Sequence, residues 1–194
     1  VQWMTAASGI LHEEKHERTW SKRGGTLQMA QLWVNLPARF KSSPPGYQTL
    51  LRDQIPAVQL PDNGGSVRIL AGDFNGTKGA ARTFTPINLY DVRLKAAHNQ
   101  ILTLPDGYNT AVVLLDGEVT LNTSHPLRSV SVALFEPAGE QITIQAQNDA
   151  TLLVLNGEPI NEPIAAYGPF VMNTRQEITQ ATHDFQSGKM GRLD

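Results

Sequence analysis

The sequence predicts an all-β protein closed by a single helix. Short runs of Val, Ile, Leu and Thr recur along most of the chain, and these types favour a pleated, half-buried surface. Turn residues punctuate the runs at even spacing. Asp116-Gly117, for example, joins two of them with hairpin chemistry, since both types tolerate positive φ. A convincing helical period occurs once, near the C-terminus. Evenly spaced strands with Asn-Gly and Pro-x-Gly turns argue for an antiparallel barrel or sandwich.

From the N-terminus, Val1 to Thr5 and Ile10 to Glu14 read as two strands around the small-residue turn Ala6-Ala7-Ser8-Gly9. Lys15, Arg18, Lys22 and Arg23 are interspersed with Glu13, Glu14 and Glu17, a mixture that reads as a solvated loop. Leu27 to Leu36 is a further strand, closed by Pro37. Pro44-Pro45-Gly46 marks a turn, and Tyr47 to Gln54 holds a single helical turn before Pro56. Pro61-Asp62-Asn63-Gly64-Gly65 is polar and rich in breakers, which makes it the best linker candidate.

A second strand series follows: Val67 to Ala71, Ile87 to Leu94, Gln100 to Leu104, Ala111 to Leu115, Glu118 to Asn122, Ser129 to Phe135, Gln141 to Gln145 and Thr151 to Leu155. Asp73-Phe74-Asn75-Gly76 is a turn sequence rather than a catalytic motif. For the helix, Thr174 and Glu177 form a capping box and Gly188 suits the C′ position. Ile178, Ala181 and Phe185 share one face of it, which the sequence predicts to cover a barrel surface.

A chain of 194 residues with 40% apolar and 18% charged content buries a sizeable core. Its net charge of −2 argues against direct nucleic-acid contact or a membrane-surface role. There are no cysteines, so disulfides, zinc–thiolate sites, Fe–S clusters and thiol catalysis are excluded. No run reaches the ~18 apolar residues that span a bilayer, no signal-peptide pattern occurs, and cytoplasm is the default. No Gly-x-Gly-x-x-Gly, P-loop or Gly-x-Ser-x-Gly elbow is present. Val1-Gln2-Trp3-Met4 opens inside an apolar segment without an initiator Met, which reads as a truncation point.

Several stretches together resemble the pirin family: Val1-Gln2-Trp3-Met4-Thr5-Ala6, Gly9-Ile10-Leu11-His12-Glu13-Glu14, Gln31-Leu32-Trp33-Val34-Asn35-Leu36-Pro37 and Tyr90-Asp91-Val92-Arg93-Leu94. Gly157-Glu158-Pro159 and Gly168-Pro169-Phe170-Val171-Met172-Asn173-Thr174 complete the match, in order and over essentially the whole chain. The resemblance implies a bicupin, two double-stranded β-helix (cupin) barrels face to face. Residues 1–60 would be the remnant of an incomplete N-terminal cupin and residues 61–165 a complete C-terminal cupin. Residues 166–194 would be a tail and helix packing on the barrels.

The resemblance also implies a metal, usually iron, in the N-terminal barrel. The family holds it with a His-x-His pair on an early strand and a His and a Glu two residues apart on a later one. The later pair falls on His12 and Glu14, and the His-x-His pair would lie before Val1. Side chains two apart on a strand project from one face, and imidazole with carboxylate suits a non-haem Fe(II) site with open positions. The bland reading of the same residues is a solvated His beside an acidic loop. Two ligands are too few for a stable site, so iron or another divalent metal is expected to be absent or weakly bound. His16 follows His12 at a helical rather than a strand spacing, and His98, His125 and His183 read as surface residues.

In the second barrel, Pro105-Asp106-Gly107 and Pro137-Ala138-Gly139 stand where cupin ligands usually follow, without a histidine, so that barrel reads as structural. Trp3, Trp20 and Trp33 are candidates for a pocket lining, with core favoured for Trp3 and Trp33. Similarity to bacterial pirins implies a quercetin 2,3-dioxygenase-type activity on a flavonol-like substrate in the intact parent. Glu14 would be a ligand and a general base there, and this chain alone would be inactive. The alternative is an iron-dependent, redox-sensing, protein-binding module resembling transcription co-regulators. Unpaired edges of an incomplete barrel predict homodimerisation or strand exchange.

Overall fold

Strand patterning dominates the observed structure as it does the sequence. The computed structural model describes residues 1–193. Its strands are β1 (Gln2–Thr5), β2 (Gly46–Thr49), β3 (Ala57–Gln59), β4 (Gly65–Ala71), β5 (Asp73–Phe74), β6 (Thr77–Lys78), β7 (Ile87–Leu94) and β8 (Asn99–Thr103). They continue with β9 (Asn109–Asp116), β10 (Glu118–Leu121), β11 (His125–Arg128), β12 (Ser131–Phe135), β13 (Gln141–Ala146), β14 (Ala150–Gly157), β15 (Ala165–Tyr167) and β16 (Phe170–Met172). Three helices accompany them: α1 (Arg18–Arg23), α2 (Ala38–Lys41) and α3 (Arg175–Gln186). None is long and apolar enough to cross a membrane.

The polypeptide divides into two compact units. One comprises Val1–Trp3 with Gln48–Pro159, and the other Met4–Tyr47 with the residues from Ile160 onward. In the first unit, six strands run in the order β12-β9-β14-β7-β4-β3 and four in the order β11-β10-β13-β8. The pairings are antiparallel. Alternation decides which side groups face inward. Val67 and Ile69 of β4, Tyr90 and Val92 of β7, Val112 and Leu114 of β9, and Leu152 and Val154 of β14 are buried together with Val119, Leu121, Ile142 and Ile144 in one core. Burying a Val or Leu of this kind contributes about 1.5–3 kcal/mol against leaving it in water. The mass of these residues is therefore what holds the ten strands together.

A smaller cluster of Leu50, Ile55, Leu70, Ala71 and Leu89 lies elsewhere in this unit, with Trp3 packed against it. Trp3 is thus a core-edge residue, in keeping with the sequence. The polypeptide ahead of it is tied down by two bonds: Val1 N donates to Leu50 O at 2.7 Å, and Leu50 N donates to Val1 O at 2.8 Å.

The second unit departs from expectation. No strand forms over Ile10 to Glu14 or over Leu27 to Leu36. An apolar run alone does not make a strand, because its backbone groups need a neighbouring strand or water. Trp33 is 68% exposed, so its expected core role is overturned. Within the stretch read as a solvated loop, Arg18–Arg23 form a short helix. Glu17 caps it, accepting from Thr19 N at 2.8 Å and Trp20 N at 2.7 Å. Between Tyr47 and Gln54 the backbone forms the end of β2 and then a 3-10 turn at Arg52–Gln54.

Helix α3 starts where the capping box places it. Glu177 N donates to Thr174 Oγ1 at 3.2 Å, and Thr174 N donates to Glu177 Oε2 at 2.7 Å. The helix ends before Gly188, whose φ of 79° satisfies the left-handed C′ position. Within its own unit the apolar face meets the β15–β16 hairpin, where Phe185 packs edge-on against Phe170 with ring centroids 6.2 Å apart.

Candidate metal centre

His12 and Glu14 lie in a segment without helix or strand, and both are exposed. Glu14 Oε1 accepts a hydrogen bond from Gln31 Nε2 at 3.1 Å, which orients the carboxylate and ties two irregular segments together. Glu13, between the two candidates, pairs with Lys15. Among the described residues no group of three or more His, Asp or Glu residues converges as a metal cage would. A nitrogen and an oxygen donor fit the chemistry of a hard-to-borderline divalent cation, but two donors do not complete a site.

The remaining histidines do not complete it. His16 stacks edge-on against Trp20 at 5.1 Å. His125 is exposed on β11, and His183 is exposed on α3 beside Asp184. His98 corrects the surface expectation. It is half-buried against Gly64, where a Cβ would meet its Nδ1 at 2.0 Å, and its Nε2 is buried without a hydrogen-bond partner.

In the first unit the two turns read from the sequence, Pro105-Asp106-Gly107 and Pro137-Ala138-Gly139, come together. Gly107 N donates to Pro137 O at 2.8 Å, and Gly139 N donates to Asp106 Oδ1 at 2.7 Å, so the two turns hold each other. Beside them a polar row crosses three strands. Asn88 Nδ2 donates to Asn156 Oδ1 at 2.8 Å, and Asn156 Nδ2 donates to Thr110 Oγ1 at 2.9 Å. These three alternate in register with the inward-facing Tyr90, Val154 and Val112. Tyr90 also donates its hydroxyl to Asp73 O, and burial pushes its phenol upward, the nearby Asp73 charge adding to the effect. It is a core residue, not an acid or base.

A second polar cluster escaped sequence reasoning. Lys41, only 7% exposed, donates to Asn35 Oδ1 at 2.6 Å and to Val171 O at 2.9 Å. Burial pulls its ammonium below the ordinary value, while the Glu162 and Glu177 carboxylates oppose that shift. Glu162 Oε2 in turn accepts from Ala38 N at 2.7 Å and Asn173 Nδ2 at 3.0 Å. The sequence signal available was that Asn35 and Asn173 both stand in the family-like stretches, yet nothing there marks Lys41 as their partner.

Two antiparallel sheets packed over a single core, with turns paired at one end and a C-terminal helix, define an all-β cupin. Residues 89–191 match the family described as the Pirin C-terminal cupin domain. A Pseudomonas aeruginosa protein named "Putative quercetin 2,3-dioxygenase PA2418" is 50% identical over 99% of this chain and 67% of its own length. A pirin-like protein of Caulobacter vibrioides is 38% identical over 97% of this chain and 67% of its own length. A crystal structure described as quercetin 2,3-dioxygenase from Acinetobacter baumannii superposes with a TM-score of 0.96 at 43% identity, covering all of this chain and 67% of that one. The chain belongs to the pirin family. It spans about two thirds of the length of these relatives.

Proposed function

We propose that His12 and Glu14 are the metal ligands this polypeptide brings to a quercetin 2,3-dioxygenase-type oxygenase acting on a flavonol-like substrate. The metal in this reading is iron or another divalent cation. The observation that carries it is the His12-x-Glu14 pair within a sequence half identical to a relative bearing that name. Glu14, oriented by Gln31, has a second carboxylate oxygen free for proton transfer from a flavonol hydroxyl. The same reading takes 1–60 as part of an N-terminal cupin, 61–165 as a C-terminal cupin and 166–194 as a packing tail, in a cytoplasmic protein. It also takes the exposed apolar residues Leu27, Met29, Trp33 and Val34 as support for self-association.

The experiment compares the protein with a fusion that adds, ahead of Val1, the N-terminal segment of the Pseudomonas aeruginosa relative. Both are incubated with quercetin under air while its absorbance is followed. The fusion consumes quercetin, and His12→Ala or Glu14→Ala within it abolishes the loss. The unfused protein does not consume quercetin. Full activity of the unfused protein, or of the fusion carrying Glu14→Ala, refutes the assignment.

A further inference from the structure

The sequence holds three Asn-Gly pairs, and the structure places each in different surroundings. We propose that Asn75-Gly76 is a self-modifying site, at which Asp73 acts as the base for conversion of Asn75 to aspartate and isoaspartate. The reaction needs only the protein and water. The Gly76 backbone nitrogen gives its proton to the Asp73 carboxylate and bonds to Cγ of Asn75, the carboxamide C–N bond of Asn75 breaks, and the amino group leaves as ammonia, taking up the proton that Asp73 returns through water. Water then opens the cyclic imide at either carbonyl.

The limiting requirement is a base on the Gly76 amide and room for that nitrogen to reach Cγ. Both are present. Asn75 and Gly76 form the two-residue loop between β5 and β6, with φ of 50° and 81°, and Phe74 pairs with Thr77 across it. Asn75 is exposed, and a Cβ on Gly76 would meet nothing within 4 Å. Gly76 N donates to Asp73 Oδ1 at 2.8 Å, within the reach required of a general base on the proton it removes.

The other two pairs lack one or both features. Asn63-Gly64 is crowded by the His98 ring, and Gly64 N donates to the neutral Pro61 carbonyl at 2.9 Å. A carbonyl holds the proton without being able to take it. Asn156 is 3% exposed, with both ends of its amide bonded by Asn88 and Thr110, and its strand is paired on both sides. Conversion at residue 75 would not stay local. An isoaspartate adds a methylene to the backbone beside Phe74, which is buried in the main core against Tyr90.

The test is timed incubation of the whole protein at neutral pH and physiological temperature, followed by peptide mapping that separates Asn, Asp and isoAsp. Position 75 converts several-fold faster than 63, and 156 stays intact, which also reports that the fold is kept. Asp73→Asn, which keeps an acceptor but not a base, slows conversion at 75 several-fold and leaves 63 unchanged. Faster conversion at 63 than at 75 in the unaltered protein overturns the proposal, as does an unchanged rate at 75 in Asp73→Asn with 156 still intact.

Discussion

Asn156 links Asn88 to Thr110 across β7, β14 and β9, accepting from the first at 2.8 Å and donating to the second at 2.9 Å. A part-buried polar row of this kind across paired strands stabilises only while every member is satisfied. Asn156→Ala leaves the Asn88 amide donor without its acceptor in a part-buried site and opens a small void. A loss of roughly 1–3 kcal/mol is expected on the desolvation cost of one orphaned group. Urea unfolding followed by tryptophan fluorescence measures it, and an unchanged midpoint would mean the row carries no stability.

Core and surface positions on the same sheet should separate cleanly. Leu152 is fully buried on β14, whereas Leu134 on β12 is 81% exposed. Leu152→Ala should cost about 2–5 kcal/mol through lost transfer energy and the cavity left behind. Leu134→Ser should change stability by less than about 0.5 kcal/mol. Thermal unfolding of the two variants side by side tests the assignment of inner and outer faces.

Lys41 sets a pH dependence whose sign follows from its burial. Its folded-state value is held below the ordinary 10.5, so the unfolded state binds this proton more readily. Its contribution therefore destabilises fully below the folded value, and stability rises with pH between that value and 10.5. Lys41→Met removes the titrating group and should flatten this rise. Unfolding free energies from neutral pH into that alkaline window provide the comparison, and an equal rise in both proteins would contradict the buried-ammonium reading.

The α3 cap is a separable contribution. Thr174→Ala removes the hydroxyl that accepts from Glu177 N and should cost about 1 kcal/mol, read as a lower urea midpoint. Glu177 works in the opposite pH range from Lys41. The Thr174 hydroxyl, then the Thr174 and Asn173 amides and the Lys41 charge, hold its carboxyl below the ordinary 4.5. The stability it contributes is present above 4.5 and is lost as pH falls through its folded value. Thr174→Ala should weaken that acid-side loss as well.

Sequence legibility follows from where each signal is stored. Ile87 to Leu94 reads as a strand because alternation and burial agree, and its observed bounds are the expected ones. The α3 cap is legible because Thr174 and Glu177 interact locally. Leu27 to Leu36 is as apolar without becoming a strand, since pairing depends on a neighbour that apolar content does not specify. The partnership of Lys41 with Asn35 and Val171 is equally silent in the sequence, one of its bonds spanning 130 positions. At the candidate centre, His12 and Glu14 were legible as candidate donors from the resemblance. Their irregular backbone and the Gln31 contact were not.

Metal analysis of the gel-filtered protein, purified from iron-supplemented cells, tests the account most directly. On the proposal that His12 and Glu14 are the donors this polypeptide offers a cation, two donors hold it weakly, and the expected content is well below one iron per molecule. One iron held firmly by each single molecule would contradict it, since these residues alone would then have completed the coordination.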